Sequence, residues 1–309
     1  MQSIKVLSVN VSGQKGTPKR SVPEIHLTPK GIESDAHAGN WHRQVSLLSI
    51  ESVQKFEEQC GKKFSYGDFA ENITTQGFLL YTAKPGDHLH CGEVELEVTQ
   101  IGKKCHGTGC AVYHHTGACV MPKEGIFARV HKGGKLQAGD VFAYIPKRYS
   151  IEVITLSTRA SEGVYADVSG PETIRLLQTF CDEKGWLCEV GYHLIPDDTT
   201  LLNSLLTKLI HQKSDFIFTT GGTGIGPADS TPETVKPLLQ REIPGIMEDI
   251  RRKYSAANPA ALLSRSIAGQ SGNSLIFTLP GSVKAVREYM SEICAHLEHL
   301  VYMRMGLGH

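Results

Sequence analysis

The chain has 309 residues, of which 40% are hydrophobic, so it is long enough for two domains that each bury a core. Lysine plus arginine and aspartate plus glutamate number 32 each, so no net charge attracts a nucleic acid or an anionic membrane, and any anion site must be local. No apolar run reaches the length of a membrane span and no signal peptide opens the sequence, so we expect a cytoplasmic protein that binds neither nucleic acid nor membrane.

The first half of the chain is rich in short strand patterns divided by Gly and Pro. β-Branched or alternating residues predict strands at 4–9, 24–27, 44–49, 94–101 and 141–145, and residues 50–60 have a helical pattern. This succession predicts a β-rich, antiparallel, barrel-like domain over residues 1–146, followed by a short linker at 147–150.

The second half alternates between strands and helices. We predict strands at 151–157, 187–194, 216–220 and 274–279, and helices at 169–183, 199–212 and 282–302. Such alternation predicts an α/β domain over residues 151–309 with a mostly parallel sheet and helices on both faces. Ligands of such sheets bind beyond the carboxyl ends of the strands.

Polar residues and glycines occupy the four loops at these strand ends. One or two carboxylates, glycine amides and a lysine suit metal-assisted phosphoryl or nucleotidyl transfer, in which catalysis is mostly positioning and charge neutralisation. The set comprises Ser161, Tyr165, Asp167, Ser169, Gly170, Pro196, Asp197, Asp198, Asp229, Pro280, Gly281, Ser282 and Lys284.

A glycine loop follows the strand pattern at 216–220. Gly221, Gly222, Gly224 and Gly226 permit a tight turn that presents backbone N–H groups to an anion. Asp229 beside them could hold Mg²⁺ against a bound phosphate. The spacing is neither that of the dinucleotide fingerprint nor that of a P-loop, and a purely structural turn is the competing interpretation.

A helix is predicted directly after this loop. Ser230 with Glu233 fits a capping box, whereas Thr231 before Pro232 fits a cap followed by proline in the first turn. Either start directs a helix N-terminus at the loop, which favours phosphate binding.

Four separated motifs in this half resemble the MogA/MoaB-like molybdopterin adenylyltransferase family. They are Thr-Thr-Gly-Gly-Thr-Gly-Ile-Gly-Pro-Ala-Asp-Ser-Thr-Pro-Glu at 219–233, Arg-Glu-Ile-Pro-Gly at 241–245, Leu-Ser-Arg at 263–265 and Leu-Pro-Gly-Ser-Val-Lys at 279–284, with Asp-Val-Ser-Gly-Pro upstream at 167–171. The resemblance covers about residues 150–309. It implies a three-layer α/β fold, often trimeric, that binds the pterin dithiolene and transfers AMP from Mg-ATP to its terminal phosphate, releasing pyrophosphate.

The resemblance also implies which residues act. Asp197 and Asp229 match the family's acidic positions and are the predicted catalytic and Mg²⁺-binding residues, although Asp197 could instead cap the helix at 199–212. Ala228 stands where many members carry a basic residue, and Arg265 could be a surface salt-bridge residue outside the site. The predicted cofactor-binding residues of this half are Gly221, Gly222, Thr223, Gly224, Ser169, Gly170, Gly281 and Ser282.

Short motifs in the first half resemble the MOSC domain. They lie at residues 31–39, 41–45, 67–73, 125–130 and 139–140, and the resemblance spans about residues 1–146. It implies a β-rich fold that binds molybdenum cofactor or handles sulfur through a cysteine, for which Cys105 is the candidate. Lys103, Lys104 and His106 would favour its thiolate, and Arg43 with His42 could bind the cofactor's phosphate.

The cysteines allow other interpretations. Cys105, Cys110, His114, His115 and Cys119 lie in one window that permits a tetrahedral zinc site, a reactive thiol or ordinary packing. The remaining cysteines are interpreted as small buried hydrophobic residues, namely Cys60, Cys91, Cys181, Cys188 and Cys294.

Together the two resemblances predict a bifunctional molybdenum-cofactor protein. The second domain would adenylylate molybdopterin and the first would bind or pass on the mature cofactor, with a molybdenum-insertion protein, a sulfur donor or a molybdoenzyme as partner. Fusion would raise the effective concentration of a labile intermediate at its next site. The alternatives are a non-enzymatic cofactor carrier and a general nucleotide-binding regulator.

Overall fold

The computed structural model of the chain describes residues 2–104 and 111–307. The chain forms two compact units, of which the first runs to Lys147 and includes a short segment after Arg304, and the second spans Arg148–Arg304. Residues 148–150 are not a linker, because they begin a strand that runs from Arg148 to Leu156. Within the described residues, no helix combines the length and apolar character needed to cross a membrane.

The first unit is built around a ring of seven strands, which confirms the β-rich, barrel-like prediction. The described strands of the whole unit, in chain order, are β1 (Gln2–Val11), β2 (Arg20–Val22), β3 (Glu24–Thr28), β4 (Gly31–Ile32), β5 (Val45–Ser49), β6 (Ile73–Gln76), β7 (His88–Cys91), β8 (Val94–Ile101), β9 (Ile126–Lys132), β10 (Gly134–Gln137) and β11 (Val141–Ile145). The ring has the order β11-β7-β8-β9-β5-β6-β1, and it closes because β1 also pairs with β11.

Most neighbours in this ring are antiparallel, and only the described pair β5–β6 runs parallel. Strand β2 extends the ring beside β1, while β10, β3 and β4 form a separate small sheet. Leu47, Ile73, Leu96 and Phe142 are fully buried in the common core. The described helices of this unit are α1 (Ile50–Cys60), α2 (Ala111–Thr116) and α3 (Met121–Glu124).

The second unit is an α/β domain whose six-stranded sheet is mostly parallel, as predicted. Its strands are β12 (Arg148–Leu156), β13 (Leu187–Ile195), β14 (Phe216–Thr220), β15 (Arg241–Glu242), β16 (Ala268–Ser271) and β17 (Ser274–Leu279). The order is β13-β12-β14-β17-β16-β15. The first four strands are parallel, and β16 and β15 pair antiparallel at one side.

Helices cover both faces of this sheet. They are α4 (Thr158–Ser161), α5 (Ser169–Lys184), α6 (Thr199–His211), α7 (Thr231–Val235), α8 (Pro244–Ser255) and α9 (Val283–Arg304). Leu202 and Leu206 of α6 share one core cluster with Ile217 of β14. On the other face, Phe180 of α5 meets the ring of Trp186 edge-on, and Trp186 stacks on Phe216.

A disulfide joins Cys181, near the end of α5, to Cys188 on β13. This corrects the interpretation of these two cysteines as unlinked hydrophobic residues. The bond closes the turn between a helix and the strand that follows it.

The strand register brings the predicted loops to one edge of the sheet. Leu156 pairs with Ile195, Thr155 with Thr220, and Thr220 with Leu279. Because these parallel strands end at the same level, the loops that follow all leave the same edge.

Candidate functional site

The glycine loop after β14 is packed tightly against its neighbours. Gly221 has a φ of +102°, and a Cβ there would lie 2.4 Å from the carbonyl oxygen of Leu156. Its own N–H donates to the carbonyl oxygen of Leu279 at 3.0 Å. Gly222 has a φ of +64°, and a Cβ would lie 2.4 Å from Oγ1 of Thr231. Glycine is required at both positions for conformation and for space, and the amide of Gly221 is already used within the fold.

The helix after the loop begins differently from the capping box. Helix α7 starts at Thr231 and has five residues, and the side chain of Ser230 makes no cap hydrogen bond. Instead, Oγ1 of Thr231 donates to the carbonyl oxygen of Gly221 at 2.9 Å, and Glu233 pairs with Arg265. The capping-box prediction is therefore wrong, and Thr231 fastens the helix to the loop.

Asp229 turns one carboxylate oxygen into its own loop. Its Oδ2 accepts a hydrogen bond from the N–H of Gly226 at 2.9 Å. A Cβ on Gly224 would lie 2.7 Å from the same oxygen, so the chain wraps closely around the carboxylate. Within the part of the chain that the structure describes, Oδ1 accepts no hydrogen bond. One oxygen of Asp229 is thus fixed and the other remains available to a ligand.

Arg265 binds the glycine loop from the neighbouring chain segment. Its Nε donates to the carbonyl oxygen of Gly224 and its Nη2 to that of Asp229, both at 2.6 Å. Its backbone N–H donates to the carbonyl oxygen of Thr223 at 2.9 Å, and Nη1 pairs with Glu233. Arg265, which the sequence analysis left outside the site, therefore sets the shape of the loop that carries Asp229.

Asp197 lies exposed just after β13 and binds the first residue of α4, which follows the neighbouring strand β12. Its Oδ2 accepts hydrogen bonds from the backbone N–H and from Oγ1 of Thr158, both at 2.9 Å. The adjacent Asp198 caps α6 by accepting from the N–H groups of Thr200 and Leu201. The helix-cap interpretation thus belongs to Asp198. No described residue donates to Oδ1 of Asp197.

Asp167, which the sequence analysis placed in the strand-end loops without a role, is the centre of a polar network. Its Oδ1 accepts from the N–H and Oγ of Ser169, both at 2.9 Å, and its Oδ2 accepts from Thr155, Tyr192 and the N–H of Gly170. Burial opposes the charge of Asp167, but these hydrogen bonds outweigh it and lower the pKa of the carboxyl group. The N–H and Oγ of Ser169 and the N–H of Gly170, two predicted cofactor-binding residues, therefore already donate to Asp167.

The loop after β17 meets the glycine loop. A Cβ on Gly281 would lie 3.4 Å from Cα of Gly221, and Oγ1 of Thr220 donates to the carbonyl oxygen of Pro280 at 3.0 Å. Oγ of Ser282 accepts from the N–H of Ala285 at 3.3 Å and caps the long helix α9. The structure therefore brings Gly221 and Gly281 together.

A second candidate site is a cavity of about 300 Å³ in the first unit. Its described lining includes the cations Lys15, Arg43 and Lys103 and has no carboxylate. Arg43 lies over the ring of Trp41 at 5.0 Å, and Lys103 over that of Phe127 at 5.9 Å. Cations held against aromatic faces suit a planar, anionic ligand.

Among the described residues, Nε of Arg43, which lines this cavity, and Nδ1 of the adjacent His42 are buried without a hydrogen-bond partner. A buried unsatisfied donor costs about 1–3 kcal/mol, so a ligand that accepts from Arg43 would recover that loss. Burial, followed by the charges of Arg43 and Arg129, lowers the pKa of His42. The lowered pKa favours the neutral imidazole of His42.

A buried ion pair supports the wall of the cavity. Lys19 and Asp35 have fully buried side chains, and Nζ of Lys19 lies 2.5 Å from Oδ2 of Asp35. Asp35 also accepts from the N–H of His37 and from Nδ2 of Asn72, and His37 and Asn72 both line the cavity. Burial raises the pKa of Asp35, but hydrogen bonds from His37 and Lys19 outweigh it, so the pKa lies well below its usual range.

Comparison with known proteins agrees with this two-part structure. Residues 152–299 match the family described as probable molybdopterin binding domain, and residues 34–143 match the MOSC domain. Molybdopterin adenylyltransferase of Helicobacter pylori (strain J99) is 34% identical over 157 residues, which are 50% of this chain and 88% of that protein. The chain belongs to the MogA/MoaB-like molybdopterin adenylyltransferase family, to which a MOSC domain is joined.

Two further relatives show how this MogA/MoaB-like half occurs elsewhere. Gephyrin of Dictyostelium discoideum is 37% identical over 160 residues, 50% of this chain but 22% of that protein. Molybdopterin adenylyltransferase of Pyrococcus furiosus is 34% identical over 161 residues, 50% of this chain and 91% of that protein. The chain therefore spans about a fifth of the first protein and most of the second. The predicted enzyme class, a nucleotidyltransferase, is confirmed at the level of the family.

Cys105, the predicted sulfur-handling residue of the MOSC half, lies outside the described residues, as do Cys110 and His106. Cys119, from the same window, lines the cavity with Arg43 and Lys103. The zinc interpretation of this window therefore stays a prediction. Of the predicted cofactor-binding residues, Arg43 is the one that the structure places in this cavity.

Proposed function

We propose that this chain is a bifunctional protein of molybdenum cofactor biosynthesis whose second unit adenylylates molybdopterin. The observation that carries the proposal is the pair Asp197 and Asp229 at the carboxyl ends of β13 and β14. Each aspartate has one carboxylate oxygen that accepts hydrogen bonds, from Thr158 at Asp197 and from Gly226 at Asp229, and another to which no described residue donates. Hard cations such as Mg²⁺ prefer such oxygens.

The site residues of the second unit would have separate roles in this reaction. Asp229 and Asp197 would hold Mg²⁺, which neutralises charge on the phosphates of ATP when it is bound. A phosphate oxygen of molybdopterin forms a bond to the α-phosphorus of ATP, and the bond from that phosphorus to pyrophosphate breaks. Arg265 keeps the loop around Asp229 in one shape, and Gly221 and Gly281 let two loops approach closely.

For the first unit we propose binding of the anionic cofactor in the cavity beside Arg43. Lys15, Arg43 and Lys103 supply positive charge, and Nε of Arg43, for which no described residue is an acceptor, supplies a donor. Transfer of sulfur by Cys105 stays a prediction. A cytoplasmic location, a homotrimer formed through the second unit, and a molybdenum-insertion protein, sulfur donor or molybdoenzyme as partner belong to the same proposal.

The test compares two adjacent aspartates in one assay. Purified chain is incubated with molybdopterin, ATP and Mg²⁺, and adenylylated pterin and pyrophosphate are measured together. Asp197→Asn should lose activity because the available Oδ1 is exchanged for an amide or turned away. Asp198→Asn should retain activity, because asparagine also caps helices. If the native chain binds the pterin but forms no product, the result would support a non-enzymatic cofactor carrier instead.

A further inference from the structure

Two histidines on β7 and a glutamate on β8 form a cluster that the proposed function does not use. His88 and His90 are two residues apart on one strand, so their side chains lie on the same face, while Leu89 between them is fully buried in the core. Glu95 of β8 stands directly opposite His90 in the antiparallel register. The sheet itself therefore places three potential ligands together on the outer side of the ring.

The three donor atoms lie close enough together to bind one ion. Nδ1 of His88 lies 3.1 Å and Nε2 of His90 lies 3.5 Å from the same oxygen, Oε1 of Glu95. All three donor atoms fall within 4.8 Å of one another. Ligands bound tetrahedrally at 2.0–2.1 Å are separated by about 3.4 Å, so an ion could enter with small side-chain movements.

Among the described residues, the ion pairs of Oε1 of Glu95 are with the two histidines of the cluster, and the neighbouring cation binds the other oxygen. Nζ of Lys132 lies 3.0 Å from the other oxygen, Oε2, and orients the carboxylate. The next carboxylate, Glu97, is bound by Arg129 at 2.6 Å and by His131 at 2.5 Å. The three-residue cluster is half-buried rather than fully exposed, which limits the side-chain entropy lost on binding.

We propose that His88, His90 and Glu95 bind a divalent transition metal of the zinc class. Imidazole nitrogens and one carboxylate oxygen are the ligands that zinc takes in sites with an open coordination position. A water molecule would complete the fourth position. The ion pair of Lys132 with Oε2 of Glu95 orients the carboxylate in the manner of the outer partners found around metal ligands.

The test uses the full chain, without an affinity tag and stripped of metal by a chelator. Zn²⁺ is titrated by calorimetry into the native chain, His90→Ala and Glu95→Gln. His26→Ala is the matched control. His26 also pairs with a glutamate, Glu33, but among the described residues this pair has no third potential ligand close to it. We expect both site variants to weaken the zinc affinity at least about tenfold and the control to leave it unchanged.

The absorption spectrum of the Co²⁺ form distinguishes metal binding at this cluster from metal binding at the cysteine-containing window of residues 105–119. Binding at His88, His90 and Glu95 should give a nitrogen and oxygen ligand field without thiolate charge-transfer bands, and Cys119→Ala should not alter it. Absence of binding, unchanged zinc affinity in both site variants, or a thiolate spectrum that disappears in Cys119→Ala would each overturn the proposal. Because all the variants are compared for thermal stability without metal, a folding defect would be detected separately.

Discussion

Nη2 of Arg265 donates a hydrogen bond to the main-chain carbonyl oxygen of Asp229 at 2.6 Å. The arginine thus holds the backbone of the candidate catalytic residue and leaves its carboxylate untouched. Since Nε of the same guanidinium holds Gly224, one planar group fixes two points of the loop. A lysine has a single ammonium and cannot reproduce this fork.

We therefore expect Arg265→Lys to impair adenylylation without abolishing it. The loop would lose one of its two fixed points, so kcat/KM should fall about tenfold to a hundredfold, mostly through a higher KM for Mg-ATP. Arg252→Lys is the control, because Arg252 is largely exposed and pairs with Asp249 one helical turn away. Equal kcat/KM values for the two variants would show that Arg265 does not support the site.

Gly221→Ala should destabilise the second unit strongly. The substitution combines a positive φ of +102° with a Cβ only 2.4 Å from the carbonyl oxygen of Leu156, so the cost should exceed about 2 kcal/mol. Gly245→Ala is the control, because Gly245 lies in α8 and a Cβ there meets no atom within 4 Å. That variant should gain about 0.5–1 kcal/mol, and urea unfolding followed by circular dichroism measures both.

Tyr192 should make the stability of the second unit depend on alkaline pH. Burial and then the hydrogen bond and charge of Asp167 raise the pKa of Tyr192 to about 12. Since the folded pKa lies above the unfolded value of 10.0, this contribution is complete below pH 10 and is lost as the pH rises towards 12. The difference in tyrosinate absorbance between the native chain and Tyr192→Phe measures this titration.

The same titration tests the part played by Asp167. Asp167→Asn removes the negative charge next to the phenol but keeps an acceptor, so the pKa of Tyr192 should fall towards 10 without reaching it, because burial persists. An unchanged titration would show that the network around Asp167 does not set the state of Tyr192.

Arg43→Ala should weaken binding of molybdopterin in the cavity of the first unit. The chain has 2 tryptophans, and Trp41 lies in this cavity, so its fluorescence reports on that site in a Trp186→Phe background. We expect a loss of affinity of about tenfold or more, since a charged donor is removed. Arg20→Ala, an exposed change in the same unit, should have no effect, and equal affinities for both variants would argue against the cavity.

The sequence predicted those elements whose pattern is strong over their whole length. The buried apolar run of β14 and the capped, amphipathic α1 agree residue by residue with the structure. Strands such as β6 (Ile-Thr-Thr-Gln) and β7 (His-Leu-His-Cys) are short and polar, so their pairing depends on neighbours distant in sequence. Helix α8 was missed because its charged residues obscure a narrow apolar face.

The residues of the candidate site likewise differ in whether they could be predicted from the sequence. The motif around the glycine loop indicated Asp229 directly, because loop and residue are adjacent in sequence. Arg265 could not be assigned from sequence, since its partners Gly224 and Asp229 are 41 and 36 residues away. The sequence analysis considered Asp197 as a cap of the helix at 199–212, whereas in the structure the carboxylate of Asp198 accepts from Thr200 and Leu201.

The central claim is that Asp229 supports transfer of AMP to molybdopterin. The decisive measurement follows adenylylated pterin and pyrophosphate, formed from molybdopterin, ATP and Mg²⁺, with the native chain and with Asp229→Asn. The variant keeps an oxygen for the N–H of Gly226, so the loop should persist while the rate falls about 100-fold or more. Product formation at the same rate by both proteins, or pterin binding by the native chain without product, would contradict the account.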